Sequence, residues 1–282
     1  MSLRQDRGAI FGAQLADAAA YDRYRPAYPA ELFDELVSVS GIQPHATVLE
    51  IGCGTGIATL PLAQRQLAVA ALDPSPHMLD VAQREISPST YPNVSFVQTT
   101  FQSYAERVKE KPSKVRVIAA FTAFHWLETN VRLTQCEELL EPNGVLAIGS
   151  SNHITGGPGN PLYEATHEVI ETYIPKPVDD HDPETVSVIY DGHTPADIVP
   201  PLKDPELENS PFNLARFSVF NMAVPHTANE YAGLIGTFSA VKALAEGKRA
   251  DLLSELTRIV RDDLDDLAIV KFVPSLGIYR LK

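Results

Sequence analysis

The sequence predicts an α/β fold in which helices cover both faces of a mostly parallel sheet. Short apolar segments alternate with amphipathic segments up to about residue 150. The first of these apolar segments runs directly into a glycine-rich loop, and an aspartate, Asp73, ends the second one. Consecutive parallel strands need a crossover connection, which a helix provides, so this alternation predicts a parallel sheet.

The individual elements follow from the spacing of the apolar residues. Four helices are predicted in the first half, at 30–39, 57–65, 76–85 and 131–140, and Ser75 is expected to cap the third. Five strands are predicted, at 47–51, 68–72, 94–98, 115–121 and 145–150. The Pro142-Asn143-Gly144 turn separates the last helix from the last strand.

The alternation stops after residue 150. A helix is predicted at 163–173, and residues 174–212 then contain eight of the 22 prolines. This segment is either a solvated loop or a lid over the active site, and we expect the lid because long irregular segments in compact domains are often functional. The predicted elements that follow are a strand at 217–224, helices at 229–246 and 248–263, and a strand at 268–281 interrupted by Pro274.

We therefore expect one domain over residues 1–282. Its parts are an N-terminal arm (1–29), a core (30–150), a lid (151–215) and a C-terminal part that completes the sheet (216–282).

The composition argues against several functional classes. The formal net charge is −13, whereas proteins that bind nucleic acid usually present a basic surface to the phosphates. There are two cysteines, too few for a disulfide framework. No signal peptide or apolar run of about 20 residues is found, so the expectation is a soluble cytoplasmic protein that acts on small molecules, not on nucleic acid or membranes. The oligomeric state is left open.

The glycine loop carries the main functional signal. Gly52, Gly54 and Gly56 follow a buried strand and precede a helix, and Asp73 comes 21 residues after Gly52. In nucleotide-binding α/β units, glycines let the ligand approach the backbone, and an acid after the second strand binds the ribose hydroxyls. Dinucleotide folds prefer G-x-G-x-x-G, and in this chain the third glycine comes one residue early.

Several segments resemble motifs of the class I S-adenosylmethionine (SAM)-dependent methyltransferases. The match includes Glu50–Gly56 (E-I-G-C-G-T-G), Asp73–Leu79 (D-P-S-P-H-M-L), Ala123–Trp126 (A-F-H-W), Leu139–Leu146 (L-L-E-P-N-G-V-L) and Tyr21–Pro29 (Y-D-R-Y-R-P-A-Y-P). The resemblance covers residues 21–150 and points to a type 11-like subgroup that includes trans-aconitate-type and natural-product methyltransferases. It implies a Rossmann-like sheet of seven strands, the last of them antiparallel, with a lid after strand five.

The resemblance also implies roles for individual residues. Gly52, Gly54 and Gly56 would line the methionine part of SAM, and Glu50 would support its ammonium group. Asp73 would hold the ribose, and Met78 would pack on the adenine. Further cofactor contacts are expected from Thr100, Phe101, the backbone of Ala120 to Thr122, and the arm residues Tyr21 and Arg25. The family usually has an acid after the third strand, where this chain has Thr99 and Thr100.

Other residues admit two interpretations. His125 is either a general base or substrate-orienting residue, or it packs in its loop or against SAM. Trp126 is expected to pack and to form a wall of the substrate pocket, to which Tyr28 and His125 also belong. Arg25 or Tyr21 could hold a carboxylate of either SAM or the substrate. Asp179 to Asp182 have spacing found in oxygen-ligand metal sites, but a solvated acidic loop is favoured there, and no metal site is expected.

The predicted function is SAM-dependent methyl transfer, by O- or N-methylation, to a small-molecule acceptor, with a carboxylate among the candidates. One alternative is an NAD(P)-dependent oxidoreductase, disfavoured by the early third glycine. The other is a methyltransferase-like protein that binds SAM without turnover.

Overall fold

The computed structural model describes residues 15–110, 113–129, 131–154, 159–174, 199–202, 207–208 and 210–282. These residues contain one sheet of eight strands, seven of which follow the order β3-β2-β1-β4-β5-β8-β6. In sequence the strands are β1 (Thr47–Ile51), β2 (Ala68–Asp73), β3 (Val94–Gln98), β4 (Val115–Phe121), β5 (Leu140–Ile154), β6 (Phe212–Val219), β7 (Met222–His226) and β8 (Ala268–Leu281). Strands β1 to β5 pair in parallel, and β8 runs antiparallel to β5, β6 and β7.

Helices lie between and after these strands in the described part of the chain. In sequence order they are α1 (Leu15–Tyr24), α2 (Ala30–Ser40), α3 (Thr59–Gln64), α4 (Pro76–Glu85), α5 (Phe101–Val108), α6 (Arg132–Leu139), α7 (Pro161–Tyr173), α8 (Ala228–Gly236), α9 (Ser239–Lys242) and α10 (Glu246–Asp263). Within the described residues, no helix is long and apolar enough to cross a bilayer.

Helices pack on both faces of the sheet, as predicted. The α2, α3 and α4 helices bury Leu36, Leu62 and Leu79 against one face. The α5 and α6 helices bury Phe101 and Leu139 against the other. A third apolar cluster joins α7, α8, α9 and α10 to the first half of β8.

The structure confirms most of the predicted core elements. The strands at 47–51, 94–98, 115–121 and 268–281 and the helix at 76–85 have the predicted bounds. Ser75 caps α4 as expected, since its side chain accepts a hydrogen bond from the N–H of Met78 at 3.3 Å. Pro274 does not interrupt β8, because it pairs with Ser151 of β5 and its carbonyl accepts from the N–H of Phe220 at 2.7 Å.

The fifth strand is longer than predicted. It begins at Leu140 and continues to Ile154, so the Pro142-Asn143-Gly144 turn lies inside it. The pairing with β4 jumps from Val115↔Leu140 to Val117↔Val145, so the turn forms a bulge in that ladder, and the pairing with β8 begins only at Val145. At its other end β5 extends beyond residue 150, into the range expected for the lid.

Several other predictions need correction. The arm contains a helix, α1, and a further helix, α5, follows β3. The single strand expected at 217–224 is two strands, β6 and β7, which pair with different halves of β8, so the sheet has eight strands and not seven. The helix expected at 229–246 ends at Gly236, and α9 follows it. Most of the Pro-rich segment at 174–212 lies outside the described residues.

Gly149 in β5 should not tolerate replacement by a residue with a side chain. A Cβ on Gly149 would lie 2.4 Å from Cδ1 of Phe121. That ring is packed against the rings of Tyr28 and Phe33, with centroids 5.3 and 5.4 Å away, so it has no room to retreat. We expect Gly149→Ala to lower the free energy of unfolding in urea by roughly 1–3 kcal/mol.

The matched control for this substitution is Gly247→Ala. No atom lies within 4 Å of a Cβ at Gly247, which is in the first turn of α10. That variant should be as stable as the wild type or gain up to about 1 kcal/mol from helix propensity. Equal stability of the Gly149→Ala variant and the wild type would contradict the packing described.

Candidate active site

The candidate site lies where β1, β2 and β4 end. The β1 strand pairs with β2 on one side and β4 on the other, so the connections after β1 diverge at this point. Ligands of open α/β sheets bind at such a switch point, beyond the carboxyl ends of the strands. The segments that meet at this point are the glycine loop 52–56, the turn at 73–75 and the segment 122–126 after β4.

Asp73 fixes the glycine loop through its two carboxylate oxygens. Oδ2 accepts a hydrogen bond from the N–H of Gly54 at 2.9 Å, and Oδ1 accepts one from the N–H of Ser75 at 2.8 Å. The loop is also held by the N–H of Cys53, which donates to the carbonyl of Leu72 at 2.9 Å. Asp73 is therefore a site residue that also holds the glycine loop in place, a role that the sequence did not reveal.

The three glycines of the loop are required for different structural reasons. A Cβ on Gly52 would lie 2.6 Å from Cβ of Ala123, and one on Gly56 would lie 2.7 Å from Cδ1 of Ile86. Both positions are therefore required by close packing within the protein. Gly54 has a φ of +56° and nothing within 4 Å of its Cβ position, so the space beside it is open to a ligand.

Glu50 places a second carboxylate under the loop. It is buried, and its Oε2 accepts a hydrogen bond from the hydroxyl of Thr59 at 2.7 Å. Burial raises its pKa to about 8, assisted by the charge of Asp73 and opposed by the Thr59 hydrogen bond. Burial also raises the pKa of Asp73, against the effect of its two backbone donors. The interior of the site therefore favours a cation.

Thr55 adds a polar group that the fold itself does not satisfy. Its side chain is 2% exposed, and its hydroxyl has no hydrogen-bond partner among the described residues. Leaving a buried hydroxyl without a partner costs free energy, so such groups are usually explained by a water or a ligand. Thr55 was not among the predicted site residues.

The arm reaches this site through Tyr28. The Tyr28 hydroxyl and Oγ1 of Thr122 are 2.6 Å apart and share a hydrogen bond. Burial raises the pKa of Tyr28, and both Arg25 and Glu50 are among the charges that act on it. Thr122 has a φ of +52°, and its N–H donates to the carbonyl of Gly149 at 2.8 Å.

Arg25 turns from the arm toward the C-terminal helices. Its Nε donates to Oγ1 of Thr237 at 2.8 Å, and its guanidinium carbon lies 4.1 Å from the ring centroid of Phe238. The Tyr21 ring lies on the same guanidinium, at 5.3 Å. Burial lowers the pKa of Arg25. Thr237 and Phe238 could not be found by sequence reasoning, because they lie more than 200 positions from Arg25.

The structure places the other predicted residues in different surroundings. Met78 is buried with Ala18 of α1, so α1 covers the part of α4 that was expected to pack on adenine. Phe101 is buried in the core between the sheet and α5, and Ala120 is buried in β4. The Thr100 hydroxyl caps α5, accepting from the N–H of Ser103 at 3.1 Å and donating to Oγ of Ser103 at 2.9 Å.

His125 and Trp126 lie on a short 3₁₀ helix after β4. His125 is exposed and Trp126 half-buried, and their ring centroids are 4.8 Å apart. No cluster of metal-ligating side chains is found in the part of the chain that the structure describes, and Asp179 to Asp182 lie outside that part.

A family match agrees with the site and the fold. Residues 48–144 match the model of a methyltransferase domain. The match covers residues 48–144 only, and the strand order and the glycine loop of this segment are similar to those of the class I SAM-dependent methyltransferases.

Curated relatives match a part of the chain. An uncharacterized methyltransferase of Mycobacterium tuberculosis is 32% identical over 145 residues, 51% of this chain and 53% of that protein. The trans-aconitate 2-methyltransferase of Deinococcus radiodurans is 34% identical over 131 residues, 45% of this chain and 46% of that protein. These matches thus span about half the length of each relative.

The similarity of the fold extends over nearly the whole chain. A putative type II methyltransferase from Anaeromyxobacter dehalogenans has a TM-score of 0.59 at 22% identity, covering 91% of this chain and 98% of that one. The [4+2]-cyclase SpnF has a TM-score of 0.51 at 11% identity, covering 97% of this chain and 93% of that one. At these identities the likeness concerns the fold alone.

The raised pKa of Glu50 gives a testable pH dependence. A carboxyl whose pKa rises from 4.5 unfolded to about 8 folded opposes folding when it ionises. The cost is absent below about pH 4.5, grows as the pH rises and is complete above about pH 8. We expect Glu50→Gln, which keeps an acceptor for Thr59, to be more stable than the wild type at pH 8, by about 1.4 kcal/mol for each unit of the pKa shift.

Urea unfolding of the ligand-free protein at several pH values measures this difference. The gain should shrink toward zero as the pH falls to about 4.5. Exposed Glu106→Gln removes a similar charge and should show no such trend. A Glu50→Gln gain that is the same at all pH values would mean that ionisation of Glu50 is not its cause.

Proposed function

We propose that the chain binds SAM at the glycine loop and transfers its methyl group to a small-molecule acceptor. The observation that carries this proposal is a pair of buried carboxylates at the glycine loop: Asp73 accepts a hydrogen bond from the N–H of Gly54, and its charge acts on Glu50. SAM is a cation at its sulfonium and ammonium groups, and two buried carboxylates favour such a ligand because they lack a cationic partner among the described residues.

The residues present fit SAM on three further counts. The Gly54 backbone is open to a ligand, and the hydroxyl of Thr55 lacks a partner among the described residues. Each Asp73 oxygen accepts a single backbone N–H and keeps a lone pair, which suits two ribose hydroxyls. Glu50 is the candidate to balance the ammonium group.

SAM supplies an activated methyl group with its leaving group already in place. The protein then has to orient the two reactants and exclude water, and positioning of this kind accounts for roughly 7–11 kcal/mol of barrier reduction. In this chain Asp73 fixes the loop, and the Tyr28–Thr122 hydrogen bond fixes the arm over the end of β4. Both contacts are partly buried hydrogen bonds, which favour a preorganised site.

The acceptor is proposed to be small, and His125 and Trp126 to lie beside it. The net charge of −13 disfavours nucleic acid, and O- or N-methylation both remain compatible with the site. A carboxylate acceptor is supported by the relative that is named for trans-aconitate. A carboxylate is ionised at neutral pH and needs no general base.

Substitution of Gly54 tests the cofactor part of the proposal. We expect Gly54→Ala to weaken binding of S-adenosylhomocysteine roughly tenfold or more, because the new methyl group occupies the space assigned to the ligand. Isothermal titration calorimetry of the wild type and the variant measures the change. NAD and NADP should not bind to the wild type, which separates the proposal from the oxidoreductase alternative.

Gly41→Ala is the matched control. Gly41 has a φ of +63° and nothing within 4 Å of its Cβ position, so the substitution brings the same backbone strain away from the site. It should lower stability as Gly54→Ala does and leave S-adenosylhomocysteine binding unchanged. Full affinity in the Gly54→Ala variant would contradict the proposed site. Release of S-adenosylhomocysteine from SAM in the presence of an acceptor separates an enzyme from a non-catalytic binder.

A further inference from the structure

The site region carries two groups of charged or ionisable side chains. The acidic pole consists of Glu50 and Asp73, at the ends of β1 and β2. The basic pole consists of Arg25 and His153, which both pack against the ring of Phe238. Neither His153 nor Phe238 was among the predicted site residues.

Arg25 has no carboxylate partner among the described residues. Its contacts are the hydroxyl and carbonyl of Thr237 and the rings of Tyr21 and Phe238. All of these are neutral, and burial already lowers the pKa of Arg25. Burying a guanidinium without a negatively charged partner costs free energy. The arrangement therefore suits an anionic ligand that supplies the negative charge.

His153 lies on the extension of β5 beyond the predicted strand end. It is 3% exposed, and its ring centroid lies 5.6 Å from the rings of both Phe238 and Phe272. Side chains alternate along a strand, so His153 is on the same face of the sheet as Ala147, which clusters with Phe121. This is the face that the arm covers.

Tyr28 connects the two poles. Glu50 and Arg25 both act electrostatically on its hydroxyl, and this hydroxyl is hydrogen-bonded to Thr122 at the end of β4. The electrostatic partners of Glu50 are Thr59 and Asp73, whereas those of Arg25 are Tyr21 and Tyr28. A cationic ligand at the acidic pole and an anionic ligand at the basic pole would therefore meet beside Tyr28 and Thr122.

We propose that the acceptor is a small carboxylate-bearing molecule whose carboxylate binds to Arg25 and His153 beside Phe238. This inference rests on the proposed function, because there is an acceptor only if the protein transfers a methyl group. Arg25 supplies two or more N–H donors to the carboxylate, and the His153 ring supplies a further polar contact. The methionine carboxylate of SAM is then not the group that Arg25 binds.

The test uses the protein saturated with S-adenosylhomocysteine and titrates simple carboxylates as probes. Succinate, glutarate and citrate are compared with the neutral diamide succinamide by isothermal titration calorimetry. We expect at least one carboxylate to bind with a Kd of about 1 mM or tighter and succinamide not to bind. Arg25→Met should weaken that carboxylate roughly tenfold or more, and Arg25→Lys should restore part of the loss.

His153→Phe separates a polar role from packing. Phenylalanine keeps the ring contacts with Phe238 and Phe272 and removes the ring nitrogens. Carboxylate binding should weaken severalfold in this variant, because the ring nitrogens are removed, and unchanged binding would overturn the assignment of His153. Arg23→Met and His167→Phe are the controls, since exposed Arg23 lies over Tyr24 of α1 and His167 stacks on Tyr163 of α7. Both should bind the carboxylate as the wild type does.

Binding of S-adenosylhomocysteine is measured in every variant, and it distinguishes the possible failures. The proposal requires this affinity to be nearly unchanged in the Arg25→Met and His153→Phe variants. If Arg25→Met weakens S-adenosylhomocysteine as much as the carboxylate, Arg25 binds the cofactor and the proposal is wrong. It is also wrong if no carboxylate binds to the saturated wild type. If S-adenosylhomocysteine does not bind to the wild type at all, the proposed function itself fails.

Discussion

The hydrogen bonds of Asp73 are the constraint on which the site depends. One carboxylate holds the N–H of Gly54 and the N–H of Ser75, so it ties the loop after β1 to the turn after β2. The loop can be tied there because Gly52 lets it approach Ala123 of the neighbouring segment. The same residue that would bind a ribose therefore also builds the surface on which the ribose would rest.

The charges of the site follow from this construction. Placing the loop over the sheet buries Asp73 next to Glu50, and burial of each carboxyl raises its pKa. The ligand-free fold thus carries an electrostatic cost that a cationic ligand would relieve. Binding and stability are therefore linked. A cationic ligand favours the ionised carboxylates, so it stabilises the folded protein most at the pH values where their ionisation destabilises the ligand-free fold.

Local signals in the sequence predicted all five strands and most of the helices of the parallel half, because most of these elements have their own apolar period. The predictions failed where a contact between distant segments decides the structure. Pairing of Leu140 with Val115 of β4 begins β5 before the Pro142-Asn143-Gly144 turn, and pairing with β8 continues β5 to Ile154. No local pattern shows either contact. The same holds for the site. The spacing of Asp73 predicts it as a site residue, whereas the contacts of Arg25 with Thr237 and Phe238 join distant parts of the chain and leave no local pattern.

The most direct test of the account is the affinity of Asp73→Ala for S-adenosylhomocysteine, measured by calorimetry beside exposed Asp80→Ala. Removing Asp73 takes away a charged acceptor and releases the loop, so the affinity should fall by roughly thirtyfold or more, about 2 kcal/mol. The Asp80→Ala variant should bind as the wild type does. Binding of equal strength in a folded Asp73→Ala variant would contradict the central claim that this carboxylate builds and serves the cofactor site.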